Sequence, residues 1–249
     1  MSHLPQPDPA RSRIWAIVPA AGIGRRMQSS VPKQYLELLG KPVLTHTLQR
    51  LLDVPAIAGL AVSLQGQDTG WEKIKLATDK PLIRTAGGKE RCHSVLNALN
   101  GLNQLGAFNA ETDWVMVHDA VRPCVREADI HKLIAEVGNK TDGGILALPV
   151  RDTMKRQLND TTRVAQTVDR DGLWHALTPQ YFPRLLLKQA LESAISQGYN
   201  LTDESSAMEY AGYSPRLVAG HEDNIKITRP HDLQLAGLYL ESLHNDKAQ

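Results

Sequence analysis

The chain has 249 residues, 42% of them hydrophobic and 22% charged, which suits one large α/β domain or two small ones with a sizeable core. Its formal net charge is +1 with no basic stripe, which argues against a protein dedicated to nucleic acid. No apolar run reaches the ~18–20 residues needed to cross a bilayer, so no membrane contact is expected, and two thiols fit a reducing cytoplasm. Residues 1–13 are polar and Pro-rich without an apolar stretch, and read as a disordered tail rather than a signal peptide. Residues 14–243 then read as a single domain.

Ile14 to Val18 is a short apolar run ending at Pro19 and glycines, the pattern of a buried strand. A helix is predicted from Val43 to Leu52, then strands at Ile57 to Leu64 and Leu82 to Ala86. Arg91 to Leu102 places Val95, Leu96, Leu99 and Leu102 on one helical face. A strand at Trp114 to Val117, a helix at Ala128 to Val137 and a strand at Gly144 to Leu148 follow. This alternation predicts βαβ units and a mostly parallel sheet with helices on both faces. In such sheets ligands bind beyond the carboxyl ends of the strands, so the segments after Val18, Ala86 and Val117 should share one rim. From 150 to 172 the pattern changes to two short alternating stretches around Asn159-Asp160, read as a protruding β-hairpin arm with little core of its own. Such an arm predicts pairing with a second copy. Helices are predicted at Arg184 to Gln197 and Asp203 to Ala211, with Thr202 as N-cap of the latter and Gly212 just past its end. A strand at Pro215 to Val218, a strand-like stretch around Ile225 to Ile227 and a helix from Pro230 to Leu243 complete the chain.

Four segments carry unusual residues. Ala20, Ala21, Gly22 and Gly24, followed by Arg25 and Arg26, could bring backbone N–H groups close to phosphate. Met27 stands where a dinucleotide fingerprint needs a third glycine, and the Gly-Lys-Ser/Thr of a P-loop is absent. The arginines could clamp a triphosphate, or could be surface groups on a Gly-rich turn; Pro32-Lys33 adds a cation and favours the first reading. Asp119, at the end of a predicted strand, suits a magnesium ligand, or could form a surface pair with Arg122. Gly87-Gly88, with Arg91 and Ser94, could read a base edge or be a plain helix start. Lys226 could face a site or solvent. Cys92 and Cys124 have no CxxC or Cys/His spacing, which disfavours a structural zinc site and fits a reducing compartment.

Together these motifs resemble the 2-C-methyl-D-erythritol 4-phosphate cytidylyltransferase family. The resemblance also covers Arg151-Asp152-Thr153, Val168-Asp169-Arg170, Thr178-Pro179-Gln180, Thr202-Asp203-Glu204 and Asn224-Ile225-Lys226. It implies a Rossmann-like three-layer α/β nucleotidyltransferase fold and transfer of CMP from CTP to methylerythritol phosphate, a step in isoprenoid precursor synthesis. By the same resemblance Arg26, Lys33, Arg170 and Lys226 are catalytic. Ala20, Ala21, Gly22, Gly24, Gly88, Arg91 and Ser94 surround the nucleotide. Asp152, Thr153, Arg122, Thr178 and Thr202 serve the second substrate, and Asp119 with Asp223 holds Mg2+. The resemblance also implies a homodimer in which Arg170 reaches the neighbouring subunit's site, and a chain with this one activity rather than a fused second one. The rivals are a cytidylyltransferase for another polyol phosphate such as ribitol 5-phosphate, and a non-catalytic nucleotide-binding module. A nicotinamide dehydrogenase is disfavoured by Met27.

Overall fold

The computed structural model describes residues 13–22, 31–104 and 113–245. A seven-stranded sheet runs through the molecule. Its strands are β1 (Ile14–Pro19), β4 (Ile57–Leu64), β5 (Leu82–Ala86), β6 (Trp114–Val117), β7 (Gly144–Pro149), β10 (Trp174–Pro183) and β11 (Arg216–Ala219), in the order β11-β7-β10-β6-β1-β4-β5. All neighbours are parallel except those of β10, which is antiparallel to both β6 and β7.

The two-residue period of β1 builds both sides of the core. Ile14, Ala16 and Val18 join one apolar cluster and Trp15 and Ile17 the other. On the first side α1 (Val43–Leu52) contributes Leu44, Leu48 and Leu51, and α3 (Glu127–Val137) contributes Ile130, Leu133 and Val137. On the second, α2 (Arg91–Gln104) brings Val95, Leu99 and Leu102, backed by α4 (Arg184–Ser196) and α5 (Glu204–Tyr210). The result is three layers, and each fully buried side chain such as Ile17 or Leu99 contributes roughly 1.5–3 kcal/mol. A smaller cluster packs α6 (Pro230–Asn245) against a two-stranded ribbon, β2 (Glu37–Leu38) with β3 (Lys41–Pro42).

The arm is present: β8 (Met154–Gln157) pairs antiparallel with β9 (Val164–Val168) in a sheet of its own. Its two ends are fastened to each other, because Val150 N–H donates to the Leu173 carbonyl at 2.9 Å and Trp174 pairs with Pro149.

Three expectations are corrected. The stretch around Lys226 is irregular chain rather than a strand; Ile227 N–H reaches the Val121 carbonyl at 2.9 Å. The N-cap of α5 is Asp203, not Thr202: its carboxylate accepts from Ser206 N–H at 2.9 Å in a capping box. Strand β10 was not anticipated, because Pro179 interrupts its sequence pattern. The pairing with β7 jumps between Ala176 and Gln180, so the proline sits in an irregularity where no ladder donor is required.

Candidate active site

Strand β1 lies between β4 and β6, where the strand order reverses, and the crevice beyond their carboxyl ends is the expected ligand position. A pocket of about 440 Å³ opens there. Of the residues singled out in the sequence, Ala20, Ala21, Gly22, Lys33, Gly88, Arg91, Ser94, Asp119 and Lys226 line it. Gly24 and Arg26 lie outside the described residues.

Close backbone approach locks the pocket wall. Ala20 N–H donates to the Ser63 carbonyl at 2.9 Å and Gly87 N–H to the Leu64 carbonyl at 2.6 Å, which extends the β1–β4–β5 register into the loops. A Cβ on Gly87 would stand 2.2 Å from that of Ala21, and one on Gly88 would stand 2.2 Å from that of His93. Only glycine lets these two loops touch each other and the start of α2. Ser94 accepts from Gly88 N–H at 3.0 Å, so its hydroxyl shapes the loop as well as lining the pocket. Gln34, in the 3-10 turn after Pro32, is buried and donates to the Ala20 carbonyl at 2.8 Å. It thereby joins the Lys33 turn to the end of β1.

Charge converges on Asp119. One carboxylate oxygen takes Arg91 Nε at 3.1 Å; the other takes Lys226 Nζ at 2.9 Å and Arg122 Nε at 3.3 Å. Only 6% of Asp119 is exposed, so the expectation of a surface pair with Arg122 is replaced by a four-member cluster around a buried carboxylate. Burial opposes its charge, but Arg91, then Lys226 and Arg122, overcome that and hold the carboxyl well below the usual carboxylate range. Arg91 is itself anchored by Glu204 of α5, whose Oε1 lies 2.6 Å from Nη1.

Behind Asp119 a buried network fixes the end of β6. The Thr178 hydroxyl accepts from Asp119 N–H at 3.1 Å and donates to His118 Nδ1 at 3.0 Å, while His118 Nε2 donates to the Arg122 carbonyl at 3.0 Å. Burial pushes His118 down to about 4, which keeps the imidazole neutral, with its proton on Nε2 facing the carbonyl. Asn224 closes the network, donating to the Thr178 carbonyl and accepting from Arg122 Nη1 at 2.7 Å.

Several expected site residues stand elsewhere. Arg122 and Thr178 are buried supports behind the pocket wall, rather than groups presented to a ligand. Asp223 does not reach the pocket; it lines a neighbouring cavity and pairs with Arg126 at 2.6 Å. Thr202 is exposed just before α5. Asp152, Thr153 and Arg170 are exposed on the arm, where Arg170 donates to the Arg151 carbonyl. Sequence reasoning placed Gln34, Glu204 and Asn224 within motifs but gave none of them a role in the site. Glu204 carried a signal, an acid in the first turn of a helix, but that signal pointed to the helix end and not to Arg91.

A largely parallel three-layer sheet, with glycine loops and a cation-ringed carboxylate at its switch point, is that of a nucleotidyltransferase. The family model described as 2-C-methyl-D-erythritol 4-phosphate cytidylyltransferase matches residues 14–242, and the chain belongs to that family. A relative of that name from Shewanella amazonensis is 53% identical over 92% of this chain and 94% of its own, and one from Alteromonas mediterranea is 50% identical over 92% and 93%. A crystal structure of 4-diphosphocytidyl-2C-methyl-D-erythritol synthase superposes with TM-score 0.80 at 36% identity, covering 92% of this chain and 99% of that one. The Francisella tularensis 2-C-methyl-D-erythritol 4-phosphate cytidylyltransferase gives 0.78 at 34% identity, over 92% and 100%. Among the described residues no helix is long and apolar enough to cross a membrane.

Proposed function

We propose that the chain transfers the cytidylyl group of CTP to 2-C-methyl-D-erythritol 4-phosphate, releasing pyrophosphate and forming 4-diphosphocytidyl-2-C-methyl-D-erythritol. The observation that carries this reading is the single pocket into which Ala20, Ala21, Gly22, Lys33, Gly88, Arg91, Asp119 and Lys226 converge. Its volume falls within the roughly 300–1,000 Å³ usual for small-molecule sites.

Both reactants are phosphates and repel each other. The interlocked glycine loops take the base and ribose side, and the cations take the phosphates. Lys33, with Arg26, stabilises charge on the α-phosphate as the acceptor's phosphate oxygen bonds to phosphorus and the bond to pyrophosphate breaks. No general base is needed, because a phosphate monoester with a second pKa of about 6 is already a nucleophile near neutral pH. Lys226, whose side chain is 38% exposed, is the member of the Asp119 cluster best placed to swing to the incoming phosphate.

A magnesium ion fits the donor set through Asp119. That carboxylate is held ionised, and Mg2+ is commonly bound by one or two carboxylates plus substrate phosphate oxygens. When bound, the ion neutralises triphosphate charge. Asp223, turned toward Arg126, supports the loop that leads to Lys226. Arg170, with Asp152 and Thr153, enters the pocket of a second copy in a homodimer. Exposed Leu158, Val164, Leu173 and Trp174 on or beside the arm support that assembly.

The test is pyrophosphate release with each nucleoside triphosphate crossed with methylerythritol phosphate and ribitol 5-phosphate. CTP with methylerythritol phosphate should turn over fastest. Faster turnover of ribitol phosphate would overturn the assignment.

A further inference from the structure

At the start of α2, beside the nucleotide pocket, three side chains converge that the proposed reaction does not use. We propose that Glu90, Cys92 and His93 form a binding site for a soft divalent cation, of which Zn2+ is the type. The sulfur of Cys92 lies 3.6 Å from His93 Nδ1 and 3.9 Å from Glu90 Oε2, and all three donor atoms lie within 4.8 Å of one another. A tetrahedral zinc with a sulfur ligand at about 2.3 Å and nitrogen or oxygen ligands at about 2.0–2.2 Å has edges of about 3.5 Å. The two sulfur distances are already close to those edges. The remaining gap is closed by Glu90, whose exposed side chain is free to rotate.

The donor set decides which metal. One thiolate, one imidazole and one carboxylate favour zinc-like ions over Mg2+, which prefers oxygen ligands alone. Three protein ligands leave a fourth position to water, so the site is open and exchangeable rather than a closed structural one. On binding, the thiol proton is released to solvent as the sulfur–metal bond forms. Adjacent positions at a helix start do not match CxxC or Cys/His spacings, so this group was not legible from spacing alone. The site is distinct from Asp119, yet Glu90 lines the nucleotide pocket and His93 packs on Gly88.

The full chain, held in excess Mg2+ to occupy oxygen-only sites, is titrated with Cd2+ as a spectroscopic stand-in for Zn2+. A thiolate-to-metal charge-transfer band should saturate at one equivalent and be displaced by Zn2+. Cys92→Ser, a near-isosteric change, should abolish the band, and Cys124→Ser should keep it. His93→Ala and Glu90→Gln should each weaken binding by about 10-fold or more. A band that survives Cys92→Ser, vanishes in Cys124→Ser, or is indifferent to both His93→Ala and Glu90→Gln would overturn the proposal.

Discussion

Asp119 shows how one residue organises a site. Its two oxygens are shared among Arg91, Arg122 and Lys226, so the carboxylate is ionised and the cations are pre-positioned before any phosphate arrives. Lys33 lines the same pocket. Lys33→Ala should lower kcat by roughly 10²-fold, as when a donor to developing charge is removed; an unchanged kcat in steady-state assays would remove Lys33 from the chemistry. His118 makes a prediction about stability. Unfolded, its imidazole takes a proton near 6.5; folded, burial holds that event to about 4. Between those values the unfolded chain binds more protons, so stability is full above pH 6.5 and falls as pH drops toward 4, by about 3 kcal/mol for this group. Denaturant midpoints measured across that range should fall less steeply in His118→Gln; parallel slopes would refute the account. Lys33, Gly88 and Asp119 were legible in the sequence because chemistry demands unusual residues after strands. The roles of Glu204 and Asn224 were not, because they lie in partners distant along the chain: Arg91 for the Glu204 carboxylate and the Thr178 carbonyl for the Asn224 amide.

Helices α2 and α5 meet through a charge pair at the pocket edge, its carboxylate buried and its guanidinium partly exposed. Glu204 has no exposure and holds the guanidinium that reaches Asp119. Burial works against the charge on Arg91, but Glu204 and Asp119 more than offset it and hold the guanidinium above its ordinary range. Glu204→Ala would leave that cation short of its nearer counter-ion and should destabilise the fold by about 3 kcal/mol. Equilibrium unfolding measures this, and the variant should also show a raised KM for the nucleotide; a wild-type midpoint would count against the clamp. Most elements were readable from sequence pattern: β6 is a continuous apolar run, β4 a mostly apolar one, and β5 a short stretch closed by Gly87-Gly88. Strand β10 was hidden by Pro179, and the loop carrying Lys226 mimicked a strand because Ile225 and Ile227 flank a lysine. That alternation arises from packing: Ile227 is buried in the α6 cluster, while Lys226 turns to Asp119.

At the scale of the molecule, the arm is an insertion between two strands that are already neighbours. Strands β7 and β10 pair at its root, and Val150 hydrogen-bonds to Leu173. A two-residue Asn-Gly turn could therefore replace residues 151–172 without disturbing the seven-stranded sheet. The shortened chain should still unfold cooperatively but sediment as a monomer and lose activity with Arg170. A persistent dimer would show that the assembly runs through another face.

The same strand that leaves the arm carries Thr178, whose hydroxyl receives the Asp119 amide. The chain from Leu173 to Thr178 is thus a short tether between the arm, proposed to meet a second copy, and the electrostatic centre of its own pocket. Docking strain in a pair of such molecules would arrive at each carboxylate along five residues of one strand and a single hydrogen bond. A dimer built this way would sense its own completeness at the place where the phosphates meet.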